Sequence, residues 1–188
     1  MRAIFIATLA TLPLAVTACV QNERYDPHDP APAYADVQSA SAALYDASGR
    51  SHGEATITQL DDGIRLVIRG NDFSPGAHGA HIHMTGSCAA PDFTSAGGHW
   101  NPFGRAHGRD NPAGQHMGDM PNLLVGQDGT GLLEVTIGGA RIAGGDAPLL
   151  DGDGAAIVIH AGADDYRSDP AGDAGSRVAC GEIVPGGF

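Results

Sequence analysis

Beyond residue 36 the chain alternates apolar and polar positions in short runs. Ile64, Leu66 and Ile68 alternate with Arg65, Val67 and Arg69, the pattern of a strand with one face buried. Similar runs, bounded by Gly, Asp, Asn and Pro, predict strands over 37–45, 53–60, 64–70, 79–83, 123–125, 132–137, 156–160 and 177–183. Asp61-Asp62-Gly63 reads as the hairpin turn between the second and third of these. No long stretch carries helical spacing with caps, so an all-β barrel or sandwich is the economical architecture. The segment 85–122 has no strand pattern, and a loop of that length inside a compact domain is usually functional.

The first residues follow a different rule. Residues 1–18 carry one early positive charge, Arg2, and an apolar run too short to span a bilayer, which predicts a secretory signal peptide. They end in Leu14-Ala15-Val16-Thr17-Ala18-Cys19, which resembles the lipobox of bacterial lipoproteins. That resemblance implies a lipidated Cys19 and a periplasmic protein attached to its membrane only through this N-terminal lipid. Residues 19–35 hold Pro27, Pro30 and Pro32 among polar side chains and read as a tether, leaving 36–188 as the folded domain. With Cys19 assigned to lipid, the cysteines left over are even in number, as an oxidising compartment favours.

Charge narrows the function. Ten basic against 22 acidic side chains give a net charge of −12, there is no lysine, and the arginines are scattered. No basic groove for nucleic acid and no polybasic membrane patch can be built from such a set. Gly at 28 copies and Pro at 12 fit a fold rich in turns.

Nine histidines supply the candidate chemistry. His81 and His83 lie two apart in a predicted strand and so leave the same face. His99, His107, His116 and Asp119 fall in the long loop, and His160 ends a strand. Imidazoles with one carboxylate suit copper and zinc, whereas calcium and magnesium prefer oxygen. His78 reads as a structural hydrogen-bonding residue, His28 and His52 as solvated, and Met117 and Met120 as packing. Asp151 and Asp153, alternating with Gly, read as a turn because no Glu follows at calcium-loop distance.

These residues together carry a family resemblance. His78-Gly79-Ala80-His81-Ile82-His83, Gly86-Ser87-Cys88, Gly98-His99-Trp100-Asn101-Pro102, His107-Gly108, His116-Met117-Gly118-Asp119, Val158-Ile159-His160-Ala161-Gly162 and Gly175-Ser176-Arg177-Val178-Ala179-Cys180 resemble the copper/zinc superoxide dismutases in their bacterial secreted form. The resemblance implies an eight-stranded Greek-key β-barrel with long metal-binding and electrostatic loops. It implies copper held by His81, His83, His99 and His160, and zinc held by His99, His107, His116 and Asp119, with His99 bridging. It implies that Asp164 hydrogen-bonds a ligand of each metal, that Arg177 receives the superoxide anion, and that Cys88 and Cys180 form a disulfide. Ala80 and Trp100 stand where the family more often carries Phe. Without lysine, steering of the substrate falls to arginines, with Arg105, Arg109 and Arg167 as candidates beyond Arg177. The alternatives are a periplasmic module that binds or buffers copper and zinc without turnover, and a zinc hydrolase. The hydrolase would want an open zinc position, which four protein ligands do not leave.

Overall fold

A computed structural model of the protein describes residues 37–187; the expected signal peptide, tether and Cys19 lie outside the described residues. The alternating runs form strands β1 (Ser39–Tyr45), β2 (Ser51–Leu60), β3 (Gly63–Gly70), β4 (Gly76–His78), β5 (Ala80–His83), β6 (Leu123–Val125), β7 (Gly131–Gly138), β8 (Ala156–His160), β9 (Arg177–Glu182) and β10 (Val184–Pro185). All pairings between these strands are antiparallel, in the order β4-β6-β7-β3-β2-β1-β9-β8-β5, with β10 added to β1. Among the described residues the one helix is a 3₁₀ turn, Thr94–Ala96.

Eight strands were expected and ten are found, for a local reason. The run predicted over 79–83 begins at Gly76 and changes neighbours at Gly79. Gly76–His78 pairs with β6, whereas Ala80–His83 pairs with β8. The Gly79 N–H goes to Gly162 O and its carbonyl accepts from His160 N, so the switch is already made there. β4 and β5 are two halves of one stave that nearly closes the barrel, and β10 is a short appendage. The barrel therefore has the eight staves expected, with Greek-key crossings from β3 to β4 and from β7 to β8. Elsewhere the ends move by one or two residues: β1 starts at Ser39, β2 at Ser51, β3 at Gly63, β7 spans 131–138 and β9 stops at Glu182.

The alternation sorts the side chains as the pleat requires. Leu44, Ile57, Ile64, Leu66, Ile68, Ile157 and Ile159 are fully buried inside the barrel. Each such side chain is worth roughly 1.5–3 kcal/mol of burial. Ile142 and Leu149 close one end from the β7–β8 connection. The departures from the family pattern are absorbed here, since Ala80 is buried and Trp100 packs on the same core.

β5 and β8 carry a second buried face. Ala80 and Ile82 point into the barrel, and His81 and His83 point out, opposite Val158 and Ala156 of β8. Both histidines are nevertheless buried, because residues 84–122 fold back over them. The outer cluster of Phe93, Ala96, Ala156 and Val158 lies beside the Cys88–Cys180 disulfide, whose Cα atoms are 5.7 Å apart. The bridge spans a sequence separation of 92. Loop-closure entropy puts such a constraint at roughly 4–5 kcal/mol at most.

Candidate metal centre

The long loop reaches β5 by backbone pairing. Trp100 N donates to Ile82 O at 2.8 Å, Ile82 N to Gly118 O at 2.9 Å, and Gly118 N to Trp100 O at 2.9 Å. These bonds set His99 opposite His83 and Asp119 opposite His81. The close approach demands glycine, since a Cβ at Gly118 would lie 2.3 Å from Ile82 O. The four loop residues and the three strand histidines are thereby brought into one buried cluster.

On one side stand His81, His83, His99 and His160. Each of the first two and the last has one ring nitrogen committed to an oxygen that can only accept. His83 Nδ1–H donates to Gly97 O at 2.9 Å, His160 Nδ1–H to Gly175 O at 3.1 Å, and His81 Nε2–H to Asp164 Oδ2 at 2.9 Å. The opposite nitrogens therefore carry bare lone pairs. His81 Nδ1, His83 Nε2, His99 Nε2 and His160 Nε2 are buried with no hydrogen-bond partner, and they converge within 4.8 Å of one another. Unpaired buried nitrogens are costly unless something fills the space between them. Burial lowers the His81 and His160 pKa values to about 4, with that of His83 lower still, so these rings are neutral and able to ligate at physiological pH.

On the other side Asp119 Oδ1 lies 2.8 Å from His99 Nδ1, 3.1 Å from His107 Nδ1 and 3.2 Å from His116 Nδ1. A tetrahedral zinc site with bonds of about 2.0–2.1 Å places its ligand atoms about 3.3 Å apart. The spacing here is close to that. Asp119 Oδ2 is occupied separately, accepting from the backbone of Gly108 and His116, which turns Oδ1 toward the cluster. Burial would raise the Asp119 carboxyl, but hydrogen bonds from His99 and the Gly108 amide, with His107 and His116 nearby, hold it well below the usual carboxylate range. His81 also comes within 4.8 Å of His99, His107 and Asp119, because it sits between the two sets. Its commitment to Asp164 and the tighter fit of His116 keep it with the first.

Asp164 joins the halves. Oδ2 accepts from His81 Nε2 and Oδ1 accepts from His107 Nε2, each at 2.9 Å. Such partners orient ligand rings and fix their tautomers. Sequence reasoning missed what holds Asp164. Asn122 clamps its backbone, donating to Asp164 O at 3.0 Å and accepting from Asp164 N at 2.8 Å. Asp169, also missed, accepts from the backbone N–H of His107 at 2.6 Å. Neither lies in a motif with a metal-ligand spacing, and an Asn six residues past His116 carries no signal by itself.

Arg177, at the start of β9, donates to Phe93 O at 2.6 Å and to Gly97 O at 2.7 Å. Gly97 O is the same carbonyl that receives His83 Nδ1–H, so one backbone oxygen positions both a candidate ligand and the guanidinium. Burial lowers the Arg177 pKa, yet a guanidinium is basic enough to stay charged. Arg109 lies elsewhere. Its guanidinium stacks 3.8 Å above the Tyr166 ring, beside a groove on the His116 side. Arg105 and Arg167 use their backbones in turns with Asn101 and Asp165.

His78 has the structural role expected, bonded to His160 O and Ser74 O, both at 2.8 Å. His52 does not lie in a turn or face solvent: it is buried in β2 against Phe73, with Asp46 and Asn71 O as partners. Asp151 closes a turn through the Gly154 amide, as read from the sequence.

A family model described as copper/zinc superoxide dismutase matches residues 51–183. The chain belongs to the copper/zinc superoxide dismutase family. A superoxide dismutase-like protein of Bacillus subtilis is 38% identical over 180 residues, covering 91% of each chain. The copper–zinc superoxide dismutase of Caulobacter vibrioides is 40% identical over 148 residues, covering 77% of this chain and 85% of that one. The crystal structure of the SOD-like protein from Bacillus subtilis superposes with a TM-score of 0.73 at 39% identity, over 77% of this chain and 97% of that one. The Cu/Zn superoxide dismutase from Brucella abortus superposes with a TM-score of 0.60 at 28% identity, over 78% of this chain and 99% of that one.

Proposed function

We propose that this protein converts two superoxide anions and two protons to dioxygen and hydrogen peroxide at a copper–zinc pair. His81, His83, His99 and His160 hold copper, and His99, His107, His116 and Asp119 hold zinc. The observation that carries this reading is the set of four buried, unpartnered ring nitrogens facing one another beside a closed set of three histidines and a carboxylate. Copper supplies one-electron cycling between its two oxidation states, which zinc with its filled d-shell cannot. The remaining work falls to the chain. Asp164 orients one ring on each side, and the Gly97 and Gly175 carbonyls keep the lone pairs of His83 and His160 turned inward. Arg177 places a fixed positive charge where an anion must arrive. His99, with Nδ1 among the zinc-side atoms, is the ring able to hold a proton at Nε2 next to the reacting oxygen.

A module that only buffered metal would have no use for a guanidinium tied to two backbone carbonyls beside the ligand rings. The test is metal analysis of the purified domain together with superoxide turnover. One copper and one zinc per chain with rapid turnover are expected, and full occupancy without turnover refutes the enzymatic reading.

The same proposal places the protein outside the cytoplasm, anchored through Cys19. Its support is the lipobox-like run before Cys19 and the Cys88–Cys180 disulfide, a bond that persists in oxidising compartments. Cys19→Ser should move the protein from the membrane fraction or leave its leader uncleaved. A mature N-terminus elsewhere, without lipid, counts against it.

A further inference from the structure

The barrel wall has a seam on the zinc side. β6 ends at Val125, paired to Gly131, while β7 runs on to Gly138. Between that extension and residues 115–121 lies a groove of about 320 Å³. His116 and Asp119 line one bank, and Thr136, Ile137 and Gly138 line the other. None of the three histidines assigned to copper alone lines it.

Accessibility among the zinc-side ligands is unequal. The side chain of His116 is 10% exposed, against 4% for Asp119, 3% for His99 and 0% for His107. A buried ion leaves its ligands one at a time, and the first to detach is the one that water or a chelator can reach. His116 is that ligand, and the groove is where it is reached. His107 cannot yield first, because its other nitrogen is bound to Asp164 and its backbone to Asp169.

We propose that zinc enters and leaves through the groove between β7 and residues 115–121, with His116 as the exchanging ligand, by a route separate from that of copper. The inference rests on the zinc assignment made above. Electrostatics favours it: a chain at −12 gathers divalent cations near its surface, and the Asp119 carboxylate stands on the groove wall. Arg109 also lines the groove, where its guanidinium rests 3.8 Å above the Tyr166 ring, so the Asp119 carboxylate and the net charge act against one local cation. The same net charge that opposes an anionic substrate assists a cation.

Gly138 offers a clean way to block the groove. A Cβ there meets no atom within 4 Å, and its backbone is outside the left-handed region. The experiment uses the copper- and zinc-loaded protein and follows zinc release to a colorimetric chelator, and zinc uptake after reloading, by stopped flow. Gly138→Trp should slow both by about tenfold or more, since the ion must then wait for the loop to open. Gly138→Ala should exchange like the wild type, and Met117→Ala, which widens the groove, should exchange faster. Copper uptake should be unchanged throughout. Thr136→Trp, on an exposed strand position that favours aromatics, serves as the second blocking variant should Gly138→Trp fold poorly. Zinc rates indifferent to blocking and widening overturn the route, as does equal slowing of both metals. A wild type that binds no zinc at all fails the underlying assignment instead, and the metal analysis shows which has happened.

Discussion

The halves of the cluster assigned to copper and to zinc share one histidine but are built differently. On the copper side His81, His83 and His160 hang from paired strands, and each ring is locked from behind by a backbone carbonyl or by Asp164. On the side assigned to zinc all four proposed ligands come from residues 99–119 of a single loop, tied to the barrel by a few backbone bonds at Trp100 and Gly118. A sheet register holds its side chains in place before any ion arrives, whereas a loop is held by what it binds. The half assigned to redox work is thus preorganised, and the half assigned to a metal without redox chemistry lends its ion to the folding of the loop.

The sharpest way to break that contrast is His160→Ala. It should reduce superoxide turnover by more than about 100-fold, beyond the range for outer partners of a metal. Zinc content measured on the same sample should be unchanged; loss of both metals together would mean that the halves are one unit. Next in size is Asp119→Ala. Zinc affinity should fall by about 100-fold or more, and amide exchange should rise across 99–121 while β5 and β8 stay protected. Uniform exchange in that variant would show that the loop needs no ion.

A smaller effect is expected from Arg177→Ala, which keeps every ligand. Turnover should fall by about tenfold, with both metals retained and with a weaker salt dependence than the wild type, as loss of a local steering charge requires. A rate rising steadily with salt in the wild type would mean that the net negative charge outweighs Arg177. The smallest effect concerns pH. In the metal-free protein His81 and His160 titrate at about 4, lowered by burial from an ordinary value of 6.5. The unfolded chain then takes up protons that the folded one refuses. Stability is therefore full above about pH 6.5 and declines as pH falls toward about 4, by about 10 °C or more in Tm. Thermal unfolding followed across that window, with and without metals, checks the sign.

Much of this was legible beforehand, and the exceptions share a cause. Period-two alternation revealed the staves, because a buried barrel face leaves a strong pattern. It could not reveal that Gly79 splits one stave, since the division depends on which neighbour accepts each backbone group. The histidines that gather into the buried cluster were legible at family spacing. Asn122 and Asp169 were not, because their side chains bond backbone groups distant in the chain, and the carbonyls of Phe93, Gly97 and Gly175 were not, because a backbone oxygen has no letter in the sequence. His52 was read as solvated when it lies buried against Phe73, a packing partner distant in the chain. The arginine candidates were chosen for loop position alone, and Arg109 turned out to lie on the zinc side.

The Cys88–Cys180 bond ties Cys88, and with it the cluster containing Phe93 and Ala96, to β9. Phe93 and neighbouring Gly97 supply the two carbonyls on which the Arg177 guanidinium rests. No strand pairing runs through Cys88, so cleaving this bond would leave the ladders of the barrel intact and weaken the perch, which is then held to β9 at Cys88 by the hydrogen bond from its N–H to Glu182 Oε1. Oxidation of the two thiols is thus expected to steady the guanidinium without being needed to build the barrel.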